Sequence, residues 1–191
     1  MLVFTYRAFI ALYILLCVSS AYGHNQIVVI PMGGDDTPTY SIGETGPAGG
    51  IVFYTTDRGR HGLEAAAADS TSSVWGCYED FIGGTSLAIG TGAANTAAIV
   101  AGCVSAENTA AEVANAYELN SFADWFLPSR DELNLLYLQK DVVGGFASRY
   151  YWSSSDYYGS NFFAWNQDFV NGSQGDYNKG NPLGVRAVRA F

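Results

Sequence analysis

The chain has few basic side chains, with nine Lys and Arg against eighteen Asp and Glu. Nucleic acids and anionic membranes are bound by clustered Lys and Arg, so this shortage argues against both as partners. The formal net charge is −9, and it becomes −10 if Arg7 is removed with the N-terminal segment described below. The charge balance therefore favours a neutral or cationic partner, while an acidic surface that only keeps the protein soluble is the alternative.

Histidine and cysteine are also scarce, with two His and three Cys in the chain. Neither His24 nor His61 stands at a spacing from other His or Cys residues that is typical of a metal site. The sequence therefore predicts no metal and no cofactor. A copper site that joins an N-terminal His24 to His61 is an alternative that no further ligand motif supports.

Motifs for catalysis are absent as well. The run Ser153-Ser-Ser155 has no G-x-S-x-G elbow, and His61 is the only internal His that could serve it as a base. We therefore predict that the protein is not an enzyme. The alternative is a hydrolase in which folding brings together two of the separated carboxylates Asp156, Asp168 and Asp176.

The N-terminal apolar run, residues 8–18, is about half as long as the roughly 20 residues that span a bilayer, which argues against a transmembrane anchor. Arg7 precedes this run and Ala21-Tyr-Gly23 follows it with small-x-small spacing, so we predict a secretory signal at residues 1–23. We expect an exported protein that is periplasmic, at the cell surface or secreted. Cys77 and Cys103 are the thiols left in the exported part, and they predict one disulfide.

The exported part divides into a short linker and one domain. Residues 24–39 include Pro31-Met-Gly-Gly-Asp-Asp-Thr-Pro38, a composition typical of linkers. Residues 40–191 have the length of a single domain and can bury a core of their own.

Local patterns predict helices grouped in the middle of this domain. Two Ala-rich runs each follow an Asn that we expect to be the N-cap, Asn95 before residues 96–103 and Asn108 before residues 109–119. They predict two short helices or one interrupted helix. Ser129-Arg-Asp-Glu132 has the pattern of a capping box and predicts a helix over residues 130–139.

Strands are predicted on both sides of these helices. They comprise residues 51–55, a stretch of period two at 165–170 followed by the turn signal Asn171-Gly172, and a last strand at 184–191. The sequence therefore predicts an α+β domain with short antiparallel strands, two to three helices and long loops.

Residues 150–181 have the composition of a contact surface. This interval holds five Tyr, five Asn, five Ser, four Gly and two Trp, but one Lys and no Arg, Glu or Leu. Rigid aromatic rings give contact area at low entropy cost, and Ser, Asn and Gly give adaptable hydrogen bonds. The interval favours a recognition function.

Ordered stretches over nearly the whole domain resemble the Lcl C-terminal domain family, an exported bacterial domain of unknown function typified by the C-terminal domain of the Legionella collagen-like adhesin. The matching stretches are residues 40–54, 61–65, 75–77, 90–92, 95–96, 124–133, 151–155 and 185–191. The resemblance implies a C-type-lectin-like fold, as in formylglycine-generating enzymes and the variable proteins of diversity-generating retroelements. Function follows from it only by analogy.

In the retroelement proteins the variable residues lie between a Trp-Ser-Ser-Ser-like segment and the closing Val-Arg strand. Here that interval is 156–181, and its Tyr, Asn, Ser and Asp content is what mutagenesis of Asn codons would produce. The contact residues implied by the resemblance are Tyr157, Tyr158, Asn161, Trp165, Asn166, Asp168, Asn171, Ser173, Asp176, Tyr177 and Asn178.

Two departures limit what the resemblance implies. Calcium-dependent lectins carry Glu-Pro-Asn or Gln-Pro-Asp, which this chain lacks, and Trp165-Asn-Gln-Asp168 only approximates their Trp-Asn-Asp segment. Formylglycine-generating enzymes have their working cysteines in the C-terminal part of the domain, whereas Cys77 and Cys103 lie earlier. We therefore expect neither calcium-mediated sugar binding nor formylglycine chemistry.

Several family positions are expected to serve the fold instead of a site. We expect Trp125, Phe126 and Trp152 to pack in the core. Arg186 and Arg189 are expected to pair with acidic residues such as Asp131 or Glu132.

The predicted function is an exported ligand-binding or adhesion module for a protein or glycan at a surface, with diversification by a retroelement as one form of it. The alternatives are a formylglycine-generating or hydrolytic enzyme and a structural envelope protein.

Overall fold

The computed structural model describes residues 37–103 and 108–191. This part of the chain contains four α-helices and eight strands in two sheets, which confirms the predicted α+β class. The predicted signal segment and residues 24–36 of the predicted linker lie outside the described residues. The C-type-lectin-like fold stays a prediction.

The strands are β1 (Ile51–Thr56), β2 (His61–Ala65), β3 (Ser70–Ser73), β4 (Tyr150–Asp156), β5 (Phe163–Asp168), β6 (Gln174–Asn178), β7 (Leu183–Val185) and β8 (Val188–Ala190). The helices are α1 (Gly92–Gly102), α2 (Ala110–Asn115), α3 (Arg130–Leu138) and α4 (Lys140–Val143).

One sheet has the order β1-β2-β8 and the other has the order β3-β7-β4-β5-β6. Neighbouring strands are antiparallel except β4 and β7, which are parallel. The predicted hairpin at Asn171-Gly172 is confirmed, since β5 and β6 pair across it. The β4–β5–β6 ladder therefore carries most of the interval that the sequence marks as a contact surface.

The single closing strand predicted at residues 184–191 is wrong, because the chain leaves one sheet as β7 and joins the other as β8. Arg186 lies between the two strands with its side chain fully buried. Its guanidinium donates to Asp69, Ala66 O and Gly145 O at 2.6 to 2.9 Å. These buried bonds hold the chain at the crossing between the sheets.

The helix at residues 130–139 is confirmed as α3, together with its capping box. Ser129 Oγ accepts from Glu132 N at 3.3 Å, and Glu132 Oε2 accepts from Ser129 N at 2.7 Å. Glu132 is fully buried, and burial raises the pKa of its carboxyl group above the ordinary value. The carboxylate also accepts from Gly90 N at 2.7 Å, so it fixes the Gly-rich loop to the start of the helix.

The two Ala-rich helices form, but their predicted N-caps are wrong. α1 begins four residues earlier than predicted, and Asn95 is buried within it, exchanging two hydrogen bonds with the backbone of Ser86. Thr109, not Asn108, caps α2, because a second capping box joins it to Glu112. α2 ends at Asn115, four residues before the predicted end.

The core confirms the predicted burial of Trp125, Phe126 and Trp152, which are at most 5% exposed. One buried cluster surrounds the tryptophans, and a second lies around Phe53, Leu133 and Tyr151. Each buried indole N–H has a carbonyl partner; Trp152 donates to Ser73 O at 3.0 Å, for example. Buried tryptophan is stable only when this polar group is satisfied.

The closing arginines pair with acids, but not with those predicted. Arg186 pairs with Asp69 at 2.7 Å, while Arg189 pairs with Glu64 at 3.0 Å and with Asp124 at 2.5 Å. Asp131 and Glu132 are used locally instead, Asp131 by its neighbour Arg130 and Glu132 by the capping box.

The predicted disulfide between Cys77 and Cys103 is confirmed. Both sulfur-bearing residues are buried, and they join the Gly-rich loop after β3 to the end of α1. The bridge spans 26 positions of sequence, so it restricts a loop that would otherwise be long and flexible in the unfolded chain.

We expect a Cys77→Ala/Cys103→Ala variant to lose about 3 to 4 kcal/mol of unfolding free energy, since this is the loop-closure entropy of a bridge of this span. Guanidinium denaturation of the variant and of the wild type, with and without reductant, measures the loss. A variant as stable as the oxidised wild type would contradict this role for the bridge.

Candidate recognition surface

Two loops face each other at the end of the five-stranded sheet, residues 78–82 and residues 157–162. Asn161 Nδ2 donates to Glu79 O at 2.6 Å, and the Tyr78 and Phe162 rings make an edge contact at 5.3 Å between centroids. The Tyr158 hydroxyl donates to Thr85 O. Between them the loops expose the rings of Tyr78, Phe81, Tyr158 and Phe162, which we call the loop surface.

The rings of the loop surface are exposed by 37% to 60%. Large apolar rings scattered singly on a protein need no explanation, but rings gathered on two adjoining loops form a patch. Directly beneath this patch lies a group of polar side chains that is fully buried.

Beneath the loops Lys179 Nζ lies 2.8 Å from Asp156 Oδ1, and neither side chain is exposed to solvent. Asp156 is the last residue of β4, and Lys179 directly follows β6. The carboxylate also accepts from Ile82 N at 2.8 Å and from Tyr157 N at 2.9 Å. One carboxylate therefore fastens both loops to the sheet.

The ammonium group completes the attachment. Lys179 Nζ donates to Asp80 O at 2.7 Å and lies 4.6 Å from the centroid of the Trp75 ring. Burial lowers the pKa of Lys179 below the ordinary value, and the hydrogen bond with Asp156 offsets part of that shift. A buried charge needs this number of partners, because an unpaired one would cost several kcal/mol.

Trp165 and Tyr157 form a second aromatic group on the β5 face that packs against α3. Their rings meet edge to face at 5.4 Å, and the Arg130 guanidinium lies 5.0 Å from the Trp165 ring centroid. Both residues are half-buried. They are therefore less available than the loop surface to a partner.

Tyr177 lies on the opposite face of the hairpin. It pairs with Ala164 in the β5–β6 register and stacks on Tyr150 at 6.0 Å between centroids. Successive side chains of a strand point to opposite faces of the sheet, so Trp165, which follows Ala164, lies on the face opposite to Tyr177. The predicted contact residues thus do not form one continuous face.

Two predicted contact residues are buried, which corrects their assignment to an open surface. Asn166 is 3% exposed and its amide donates to Gly175 O at 3.1 Å. Asp168 is 7% exposed and its carboxylate accepts from Val170 N at 2.7 Å, inside the turn of the hairpin. Both side chains support the hairpin.

The other predicted residues lie near the hairpin and its turn. Asn171, Ser173 and Asp176 are exposed, while Asn178 is half-buried and its side-chain Oδ1 accepts from Gly180 N at 2.9 Å. Asn171 Oδ1 accepts from Ser173 N at 2.8 Å, which closes the turn but leaves both residues at the surface.

Sequence reasoning named only Tyr158 of the four rings in the loop surface. Phe162 lies in the interval 156–181 but was not among the predicted contact residues, and Tyr78 and Phe81 lie outside it. A signal was present in Tyr78-Glu-Asp-Phe81, which places two aromatic residues in an otherwise Gly-rich, loop-forming stretch. Only folding brings this stretch next to Phe162.

Two of the three carboxylates considered for acid–base catalysis are used by the fold. Asp156 is paired with Lys179, Asp168 closes the hairpin turn, and Asp176 lies exposed on β6. Within residues 37–103 and 108–191 no group of three or more His, Cys, Asp or Glu side chains is placed to hold a metal ion. In the same part of the chain no helix has the length and apolarity needed to cross a membrane.

Comparison with known families gives one finding. Residues 66–189 match the family described as the Lcl C-terminal domain, and this range includes both loops, the hairpin and the disulfide. The match indicates an adhesin-like or surface module. No curated protein matches the chain.

We expect Lys179→Met to lower the unfolding free energy by about 3 to 5 kcal/mol, because it leaves the buried Asp156 carboxylate without its partner. The double variant Asp156→Asn/Lys179→Met removes both charges and should be more stable than the sum of the single losses. Urea denaturation of the wild type, of Lys179→Met, of Asp156→Asn and of the double variant gives the coupling free energy. A coupling near zero would show that the pair does not act as a unit.

Proposed function

Because this chain belongs to the Lcl C-terminal domain family, we propose that it is an exported adhesin-type module that binds a protein or glycan at a surface. The proposed contact region is the loop surface, with Tyr157, Asn161 and Trp165 at its margin. The observation that carries the proposal is that exposed rings stand on a base of buried polar contacts.

Rigid presentation supports a binding role. Ordering flexible loops at the moment of binding costs free energy, so loops that are already fixed retain more of the contact energy as affinity. Asp156 fixes the backbone on both sides, at Ile82 and at Tyr157. The disulfide at Cys77 fixes the start of the first loop as well.

The chemistry of the exposed groups also suits recognition. Tyr is among the residues that most often carry binding energy and Phe is enriched in the cores of interfaces, while neighbouring amides such as Asn161 supply directed hydrogen bonds. Export agrees with the disulfide, since such bonds persist in oxidising compartments. The predicted signal segment is part of this proposal.

The exposed residues of the hairpin form a second part of the proposal. Asn171, Ser173, Asp176, Tyr177 and Asn178 lie around the turn and along β6, partly on the other face of the sheet. They would contact either a large partner that wraps the hairpin or a second ligand.

A more specific form of this proposal is that the protein has a C-type-lectin-like fold and that a retroelement diversifies its C-terminal interval. A separation of roles favours it, because scaffold contacts in the interval come from Asp156, Asn166, Asp168 and Lys179, while many of its Tyr, Asn and Ser side chains are exposed. Inspection of the neighbouring DNA tests it. We expect a reverse-transcriptase gene and an imperfect repeat of the segment coding for residues 150–191, and a locus without either would contradict it.

The binding proposal predicts that Tyr78→Ala/Phe162→Ala removes retention on glycan and matrix-protein arrays. Loss of aromatic contact residues typically weakens an interface by about 2 kcal/mol each, or roughly thirtyfold. The unfolding free energy should fall by no more than about 1.5 kcal/mol, which is the value of an exposed aromatic pair.

The matched control is Leu138→Ala, which removes a side chain that is 63% exposed at the end of α3, outside the loop surface. It should leave array binding unchanged. Wild-type binding to nothing on either array, or equal loss in the control and in the ring variant, would count against the loop surface as the contact region.

A further inference from the structure

We infer that the loop surface takes a cationic ligand, namely a basic segment of a partner protein whose Lys and Arg side chains lie on the exposed rings. This inference rests on the proposed binding function and names the chemistry of its partner.

The exposed loop at residues 78–81 has the composition of a site for cations. In Tyr78-Glu79-Asp80-Phe81 two aromatic rings flank two carboxylates, and all four residues are exposed. Aromatic faces attract ammonium and guanidinium groups, and a neighbouring carboxylate adds a charge-assisted hydrogen bond. The stretch therefore offers a cationic side chain both a ring and a counterion.

The positive charges of the described residues are nearly all paired with carboxylates of the same chain. Of the eight Lys and Arg in residues 37–103 and 108–191, all but Arg58 lie within 4 Å of a carboxylate of this chain. Arg58 lies in the turn between β1 and β2, in the other sheet. The cation that contacts the loop surface, Lys179, is buried and paired with Asp156.

Within residues 37–103 and 108–191 neither Glu79 nor Asp80 has a cation within 4 Å, and the Lys179 ammonium group, which attracts Asp80 from further away, is buried and paired with Asp156. A sulfated or phosphorylated ligand would meet these negative charges and find no free cation on the loop. A basic ligand meets exposed carboxylates that form no ion pair in the fold, and the net charge of −9 steers it to the protein.

The extent of the surface selects a polypeptide over a small amine. Rings on two loops, at positions 78, 81, 158 and 162, exceed the area that one quaternary ammonium group covers. A short basic segment contacts several rings at once, and its cationic side chains can pair with the two carboxylates between Tyr78 and Phe81.

A fluorescein-labelled peptide of alternating Lys, Arg and Gly tests the inference by fluorescence anisotropy, against a Glu/Gly peptide of the same length. We expect the wild-type protein to bind the basic peptide at least about tenfold more tightly, and to lose affinity as salt is raised from about 50 to 200 mM, since exposed charges are then screened.

Glu79→Gln/Asp80→Asn should weaken binding of the basic peptide about tenfold. The charge-matched control Glu118→Gln/Asp141→Asn removes two exposed carboxylates elsewhere and should weaken it less than about twofold. Equal loss in both double variants would mean that only net charge acts, and would overturn the inference, as would preference for the acidic peptide.

The array experiment separates this inference from the proposed function. If Tyr78→Ala/Phe162→Ala loses binding to a neutral glycan on the arrays while the basic peptide binds no better than the acidic one, the binding function stands and the cationic partner is wrong. If the ring variant changes binding to no ligand of either kind, both proposals fail.

Discussion

The buried ion pair between Asp156 and Lys179 is the contact on which the candidate surface depends. Two charges without solvent are stable only when every remaining polar position is filled, and here backbone N–H groups and a carbonyl fill them. The donors and the acceptor belong to residues 80, 82 and 157. The need to satisfy a buried charge therefore places both loops, and the exposed rings follow from where the loops are held.

This arrangement separates the side chains that fold the domain from those that face solvent. Lys179, Asn166 and Asp168 lie in the same Tyr- and Asn-rich interval as Tyr158 and Tyr177, yet the first three are buried and hydrogen-bonded. A surface built this way can change its exposed residues with little effect on stability, because substitutions away from buried contacts usually cost little. Composition alone does not reveal which residues of the interval belong to which group.

Local signals predicted the local features of the fold. The capping box at Ser129 and Glu132 and the hairpin turn at Asn171-Gly172 depend on residues that are close in sequence. The disulfide was predictable because Cys77 and Cys103 are the only two cysteines in the predicted exported part, so one pairing is possible. The partners of Arg186 and Arg189 were not predictable, because Asp69 and Glu64 are more than a hundred residues away and only the sheet topology brings them near. The same holds for Tyr78 and Phe81, which join the C-terminal interval through contacts that no periodicity records. Asn95 was misjudged because a buried Asn bound to the backbone of Ser86 has the same local pattern as an N-cap.

Native-state hydrogen exchange of the Ile82 and Tyr157 amides tests the central claim most directly, because both N–H groups donate to the buried Asp156 carboxylate. The account predicts protection close to that of the β4 and β5 core amides, and the same protection when the Tyr78 and Phe162 rings are replaced by alanine. Exchange of these two amides at the rate of an open loop, in a protein whose sheet stays protected, would contradict it.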